Sequence, residues 1–307
     1  MSNLLLTTKC IECSPRGFLE SVGNIFAIFD AQTQDSGNIS YGVEVEHARY
    51  CVSARKCSAP NRSARNGTGS TTEFTDRFFV KTAGNPDDPA PFLPHSARVA
   101  LLRNGVQLAQ SIQHAALPRL HHAIESPHGP LLVYDWAAGE LLHACRAQRA
   151  DAQSAYQRFR HLPVAQVGRA LEQIFEVHWA LAAKNWIAVD FYDGSLIYDF
   201  AQHELHLVDL DNYHQGPFVN SMGRMFGSSR FMAPEEFARG ALIDQRTNVF
   251  TMGRTMALFL GDGTLARHAF RGDDALYAVM LRACRKEPVQ RFSSMAEFYE
   301  EWRKARG

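Results

Sequence analysis

The sequence predicts an α+β protein in two lobes, a small antiparallel β-sheet with one main helix followed by a mostly helical part. Strand-like apolar runs separated by polar turns recur within residues 25–135. From Leu141 onward, apolar residues recur mainly at helical spacing. Residues 186–211 interrupt this helical part with two apolar runs around a polar turn, which predicts a β-hairpin. A chain of 307 residues is long enough for two such lobes.

The composition is typical of a soluble globular protein. Hydrophobic residues make up 46% of the chain and charged residues 21%. The formal net charge is zero, which argues against attraction to nucleic acid or to anionic lipid. No apolar run approaches the roughly 20 residues that span a bilayer, and the N-terminus has no basic segment of the kind found in signal peptides. We therefore expect a cytoplasmic protein with no nucleic-acid or membrane partner.

The first 24 residues carry no motif and are expected to form an N-terminal extension. Within them, Cys10 and Cys13 form a close pair that could join Cys51 and Cys57 in a zinc site. The second pair is spaced more widely than zinc ligands usually are, and no histidine pattern accompanies it. Ordinary reduced thiols are the favoured interpretation.

The next segment predicts two strands, residues 25–30 and 38–46, joined through a loop to which Gly37 and Gly42 are assigned. Glycines there allow backbone N–H groups to cover a phosphate. By themselves they are better explained as the turn glycines of a hairpin.

A polar tract at about residues 53–76 lacks the periodicity of a packed element and predicts a loop or insertion. It is followed by a strand in which Lys81 stands among apolar neighbours. A lone strand lysine is usually a surface residue whose charged end reaches solvent. Helical spacing over residues 95–113 then predicts the main helix of this lobe. Strands around residues 123–124 and 131–134 complete its sheet.

In the second lobe, four helices are predicted, at residues 164–184, 247–260, 273–285 and 293–304. The hairpin strands are predicted at residues 196–198 and 205–208. A hairpin would bring the acidic loops at its two ends together, and four carboxylates lie in them: Asp190, Asp193, Asp209 and Asp211. Such a group suits a divalent metal ion, or one metal ligand and one general base.

Three later motifs resemble those of protein kinases. Residues 227–235, GSSRFMAPE, resemble the end of an activation segment, and residues 247–253, TNVFTMG, resemble the buried helix that follows it. Residues 284–292, CRKEPVQRF, resemble the late arginine motif. Together with the strand lysine and the two Asp loops, they make the chain similar to bacterial, eukaryotic-like Ser/Thr protein kinases with degenerate catalytic-loop motifs.

The resemblance implies a bilobal protein kinase-like fold, with an N-lobe at residues 25–135 and a C-lobe at residues 136–307. It also implies a largely buried ion pair between Glu235 and Arg291.

The resemblance further implies roles for individual residues. Lys81 matches the lysine that binds the α- and β-phosphates of ATP, Asp190 the base that accepts the substrate hydroxyl proton, and Asp209 the magnesium ligand. The remaining matched nucleotide contacts are the phosphate-covering glycines Gly37 and Gly42 and the adenine-binding hinge residues Tyr134, Asp135, Trp136 and Ala137.

The chain also departs from the family pattern in the catalytic loop. The His and Arg before the catalytic Asp are replaced by Ala188 and Val189. The loss of the arginine removes the cation that binds a phosphorylated activation loop, which argues against activation by that route. Tyr192 stands in place of the catalytic lysine. Ser195 replaces the second metal ligand, and Asp211 replaces the glycine after Asp209.

The expected metal ligands are therefore Asp209, Asp211, Ser195 and Asp193, the last being the stronger candidate for the vacated ligand position. The glutamate that pairs with the strand lysine is also missing, and Asn104 and Gly105 stand where it is expected.

Two functions follow from these expectations. The first is a phosphotransferase that uses ATP and Mg²⁺, or Mn²⁺. Protein Ser/Thr is its favoured substrate, and a small molecule is the alternative. The second is a pseudokinase that binds nucleotide or a partner protein and regulates without chemistry.

Overall fold

A computed structural model of the chain describes residues 3–30, 38–51, 70–87, 93–143, 145–146 and 148–307. The protein is α+β and divides into two compact units. The first comprises Met1–Leu102 and Leu120–Trp136, and the second comprises Arg103–Arg119 and Ala137–Gly307. No helix in the described ranges has the length and apolarity required to cross a bilayer.

The elements from the N-terminus to residue 135 are α1 (Leu4–Thr7), α2 (Pro15–Val22), β1 (Asn24–Phe29), β2 (Ile39–Cys51), β3 (Ser70–Thr82), α3 (His95–Ser111), β4 (Leu120–Ile124) and β5 (Leu131–Asp135). The strands form one antiparallel sheet in the order β1-β2-β3-β5-β4. Its alternating apolar residues, such as Val43 and Val80, are fully buried in the core of the first unit.

The N-terminal residues are not a detached extension. Leu5 of α1 and Leu19 of α2 are fully buried in the same core as the sheet. The chain between these helices also pairs with the end of β4, since the Ile11 N–H donates to the Glu125 carbonyl at 2.9 Å. These helices escape sequence analysis because they are short and their few apolar residues show no sustained periodicity.

The predicted polar insertion is shorter than expected. β3 begins at Ser70, and residues 70–76 pair in register with the outer half of β2. Threonine-rich polar segments form strands readily when a partner strand supplies the hydrogen bonds.

Gly37 and Cys57 lie outside the described residues, while Cys10 and Cys13 are exposed free thiols. The zinc site therefore stays a prediction.

The elements of the C-terminal part are β6 (Glu140–Leu141), α4 (Ala155–His161), α5 (Val164–Ala183), β7 (Trp186–Ile187), β8 (Leu196–Asp199), β9 (Glu204–Leu207), β10 (His214–Gln215), β11 (Phe218–Val219), β12 (Leu242–Ile243), α6 (Gln245–Phe259), α7 (Asp274–Ala283) and α8 (Met295–Arg306). The four predicted helices are confirmed as α5 to α8, with small differences at their ends. Leu108 and Ala116 are buried in the core that these helices form, which is why Arg103–Arg119 belongs to the second unit although it was assigned to the first lobe.

One carboxylate fastens the last helix to the longest one. Glu172 of α5 accepts hydrogen bonds from the Tyr299 hydroxyl at 2.7 Å, the Trp302 indole N–H at 2.8 Å and the Arg306 guanidinium at 2.5 Å. Trp302 is fully buried, so its N–H would be left without an acceptor if the carboxylate were removed.

We expect Glu172→Ala to lower the free energy of unfolding by about 2 kcal/mol, because three donors lose a charged acceptor. Urea denaturation monitored by circular dichroism measures this loss. Glu176→Ala, one turn further along the same helix and with its side chain 45% exposed, is the control and should cost less than about 0.5 kcal/mol. Equal losses in the two variants would contradict a special role for Glu172.

Candidate functional site

The predicted hairpin is confirmed as β8 and β9. The strands pair antiparallel from Leu196 opposite Leu207 to Asp199 opposite Glu204. The Val208 N–H donates to the Ser195 carbonyl at 2.9 Å and extends the pairing beyond the strand ends. The loop before β8 and the loop after β9 therefore lie at the same end of the hairpin.

Two of the acids in these loops have an uncommon backbone conformation. Among the described residues, four that are not glycine have a left-handed φ, and Asp190 and Asp209 are two of them, with φ of 64° and 60°. Asp tolerates this conformation better than most residues, yet it still costs energy. Left-handed non-glycine residues are concentrated at functional sites, where the surrounding structure holds them in place.

Asp190 is held through its side chain as well. The Asn212 amide N–H donates to Asp190 Oδ2 at 3.0 Å. Asn212 is itself flanked by two carbonyls, those of Asp211 and Tyr213, and each accepts a 2.7 Å hydrogen bond from the side chain of Asn104 in α3. Asn104, which stands where the resemblance leads one to expect a glutamate, therefore holds the backbone that follows Asp209.

A buried histidine contacts both loops, the one before β8 and the one after β9. His178 of α5 stacks edge-on against Phe191 with ring centroids 4.5 Å apart, and its Nε2 lies 2.7 Å from the Tyr213 hydroxyl. Burial lowers the pKa of His178 to about 4, so the ring is neutral at pH 7. With Nδ1 donating to the Ile174 carbonyl at 2.7 Å, Nε2 accepts from the tyrosine. Burial also raises the pKa of Tyr213 and keeps its hydroxyl protonated.

Asp193 has a different partner from the one expected. Its carboxylate is completely buried and forms an ion pair with the guanidinium of Arg230. His143 Nδ1 lies 3.5 Å from its other oxygen. The ion pair connects the hairpin loop to the segment around residue 230. Because the guanidinium binds the oxygens that a metal ion would need, it competes with metal binding by Asp193.

Two of the other predicted ligands are enclosed, whereas Asp209 is exposed. Ser195 is 1% exposed and Asp211 is 7% exposed. Over the described ranges, no three His, Cys, Asp or Glu side chains are grouped as a metal ion would need. Asp209 and Asp211 follow β9 directly, and their carboxylates remain hard oxygen donors of the kind that Mg²⁺ prefers.

The segment that resembles an activation segment is fixed at its end by the predicted ion pair. Arg291 donates to both oxygens of Glu235, with Nη1–Oε1 at 2.6 Å and Nη2–Oε2 at 2.9 Å. The Thr247 hydroxyl donates to Oε1 at 2.8 Å. Both charged side chains are buried, so the prediction of a largely buried pair is confirmed. Nearer the acids, Gly227 has φ of 117°, and a Cβ built on it would lie 3.4 Å from Asp190 Oδ1.

In the first unit, Lys81 lies in β3 opposite Ser40 of β2 and Leu132 of β5. It is 6% exposed, so it is not a surface lysine of the ordinary kind. Arg98 in the first turns of α3 is 1% exposed and donates to the Ala83 and Asn85 carbonyls at 2.5 and 3.0 Å. The chain that leaves β3 after the lysine is therefore held in place by a buried cation.

Gly42 lies within β2 rather than in the loop to which it was assigned, and its partner in β1 is Ala27. A Cβ at this position would lie 2.7 Å from Phe26 Cζ, so the glycine makes room for the aromatic ring. The loop assignment of Gly42 was wrong, whereas the strand predicted at residues 38–46, which includes it, is confirmed.

The predicted hinge begins in β5. Tyr134 and Asp135 pair with Phe79 and Phe78 of β3, and the Trp136 N–H donates to the Arg77 carbonyl at 3.3 Å. Phe26 and Phe29 pack against the Trp136 ring, at centroid distances of 4.9 and 6.4 Å. Asp135 Oδ1 accepts a 2.6 Å hydrogen bond from His121 Nε2. Ala137 begins the second unit.

Sequence analysis missed Arg230 and Asn212 and did not foresee the contacts of Asn104. A weak signal existed for Asn212, which directly follows the Asp-Leu-Asp triplet, and for Arg230, which lies inside a recognised motif. Their partners lie far away in the sequence, and spacing alone does not identify them.

Comparison with protein-family models found no match, and comparison with curated proteins found none either.

Proposed function

We propose that this chain is an ATP- and Mg²⁺-dependent phosphotransferase of the bilobal protein kinase fold that transfers the γ-phosphate to Ser or Thr of a protein. The observation that carries the proposal is the left-handed backbone of Asp190 and Asp209. These are the two acids to which the resemblance assigns the base and the metal ligand, and both are held in a conformation that costs conformational energy.

The contacts of Asp190 suit a base. Its carboxylate receives an amide hydrogen bond from Asn212 at Oδ2, and a carboxylate can accept several hydrogen bonds at once. General-base catalysis requires a carboxylate oriented toward the proton that it removes, and a neutral amide orients it without adding a charge.

The donor chemistry of Asp209 and Asp211 fits Mg²⁺, so these two residues are the proposed ligands. When bound, the ion neutralises charge on the transferred phosphoryl group. Asp193 is left out of this set because Arg230 occupies its carboxylate. Lys81 retains its proposed role at the α- and β-phosphates, since a buried ammonium is stabilised by an anionic ligand.

The second candidate, a pseudokinase, is favoured by one observation in the first unit. Phe26 fills the space above Gly42 and also packs on Trp136, whose N–H is already donated to Arg77. Adenine contacts through the backbone of this segment would have to use other groups, which weakens nucleotide binding in its usual form.

Transfer of labelled phosphate tests the proposal. Purified protein incubated with γ-labelled ATP, Mg²⁺ or Mn²⁺ and a basic protein substrate should phosphorylate that substrate. Asp190→Asn should lower the rate at least about 100-fold, because the amide cannot accept the proton while it fits the left-handed backbone. Asp274→Asn, a carboxylate that is 92% exposed, is the control and should leave the rate unchanged.

Thermal unfolding with and without ATP separates the two candidates. Stabilisation by ATP without transfer would support the pseudokinase. Transfer that persists in Asp190→Asn would contradict the role of Asp190. If the protein neither binds ATP nor transfers phosphate, both functions are refuted.

A further inference from the structure

Asn212 donates a hydrogen bond to Asp190, and it has no catalytic assignment. Its Nδ2 donates to Asp190 Oδ2 at 3.0 Å. A hydrogen bond to a carboxylate is stronger than one between neutral groups, so this contact fixes the carboxylate's rotation. The position that holds a catalytic lysine in the resembled family is Tyr192 here, and the amide comes from a different loop.

Asn104 holds the backbone on both sides of Asn212. Its amide nitrogen has two N–H groups, and the carbonyls of Asp211 and Tyr213 lie 2.7 Å from that nitrogen. Both hydrogens of the amide are therefore used by acceptors two residues apart. An aspartate at 104 could not do this, because its oxygens would face two carbonyl oxygens with no hydrogen between them.

Tyr213 is fixed a second time, from its side chain. It is fully buried and its hydroxyl is bound to the neutral ring of His178. The residues on both sides of Asn212 are therefore held: their carbonyls bind Asn104, and the side chain of Tyr213 binds His178. This leaves the side chain of Asn212 with little conformational freedom.

We propose that Asn104 and Asn212 form an amide relay in which α3 positions the carboxylate of Asp190. Asn104 is the positioning residue for the 211–213 backbone, and Asn212 passes that position to the carboxylate. The relay rests on the proposed function for what Asp190 does, but not for where Asp190 is held. It also explains why an amide rather than an acid stands at position 104.

Non-additivity is the signature of a relay, since a residue that acts through another has no effect once the second is gone. We expect Asn104→Ala and Asn212→Ala each to lower kcat roughly 10-fold, with the KM for ATP unchanged. The double variant should be no slower than the slower single variant. Asn104→Asp should be slower than Asn104→Ala. Gln107→Ala, an exposed position on the same helix, should behave as wild type.

A spectroscopic arm tests the relay without any transfer activity. The carboxyl carbon of Asp190, observed by NMR, should change its chemical shift in Asn212→Ala and in Asn104→Ala, but not in Gln107→Ala. On an Asn212→Ala background, adding Asn104→Ala should produce no further change.

The two arms separate the relay from the function. If no variant or wild-type protein transfers phosphate while the carboxyl shifts follow this pattern, the proposed function fails and the relay stands. Multiplicative losses in kcat, or independent carboxyl shifts, would overturn the relay. Asn212 is partly exposed, so its variant should fold even if Asn104→Ala does not, and a wild-type carboxyl shift in Asn212→Ala alone would also overturn it.

Discussion

Arg291→Met is expected to lower the free energy of unfolding by about 3–5 kcal/mol, because Glu235 is left as a buried charge without its partner. Both oxygens of Glu235 accept from this guanidinium, and the carboxylate is 8% exposed. Among the described residues, the Thr247 hydroxyl would remain as a side-chain donor to it. Methionine keeps most of the volume of the arginine stem, so the loss reports charge rather than a cavity.

The arginine also donates to three backbone carbonyls. It donates to the carbonyls of Arg246, Arg285 and Lys286 at 2.7 to 2.9 Å. These bonds tie the start of α6 to the turn after α7, so part of the loss should persist even when Glu235 is neutralised.

Urea denaturation of three variants separates these contributions. Arg291→Met should show the full loss, and Arg291→Met combined with Glu235→Gln should recover part of it, since no buried charge remains. Arg285→Met, an exposed arginine in the same turn, is the control and should cost less than about 0.5 kcal/mol. A loss of that size for Arg291→Met would show that the buried pair contributes nothing to stability.

Glu236→Gln is expected to stabilise the protein at high pH by on the order of 4 kcal/mol. Burial, opposed in part by the Ala233 N–H and reinforced by the charges of Glu235 and Asp190, raises the pKa of Glu236 to about 8 from its ordinary 4.5. The folded protein therefore keeps a proton that the unfolded chain releases above about pH 4.5. This contribution to stability is complete below that pH and is lost as the pH rises through about 8.

Glutamine mimics the protonated acid at every pH and keeps an oxygen for the Ala233 N–H, which now donates to the carboxyl at 2.6 Å. Wild type and Glu236→Gln should therefore unfold at similar urea concentrations near pH 5 and diverge by pH 9. The contribution of His178 to stability has the opposite pH dependence, since it is lost as the pH falls from about 6.5 toward about 4. It is the same in both proteins and cancels in the comparison. Glu12→Gln, an exposed carboxylate, is the control. A constant difference between the proteins from pH 5 to pH 9 would contradict a buried protonated acid.

Local patterns predicted the parts of the fold that local physics determines. The hairpin of β8 and β9 and the helices α5 to α8 follow from apolar periodicity, because one face of each must be buried. The Glu235–Arg291 pair was predicted from motif order, since residues far apart in sequence can be connected when each belongs to a recognised pattern.

The rest depends on tertiary contacts that leave little trace in the sequence. Leu5 and Leu19 belong to short helices whose stability comes from the sheet on which they pack. Arg230 meets Asp193 across 37 positions, and neither residue type indicates the other. Asn104 was noticed only as a missing acid, whereas its amide is what the structure uses.

The left-handed backbone at positions 190 and 209 also limits how this chain can vary over evolution. Glycine, asparagine and aspartate enter that conformation at modest cost, whereas valine, isoleucine and threonine are strongly disfavoured by their branched Cβ. Random substitution at these two positions is thus filtered by the backbone before chemistry matters. Of these three residues only aspartate carries a charge, so related sequences that keep aspartate at both positions would record selection for the carboxylate itself. Those that drift to asparagine or glycine would record the shape of the loop alone.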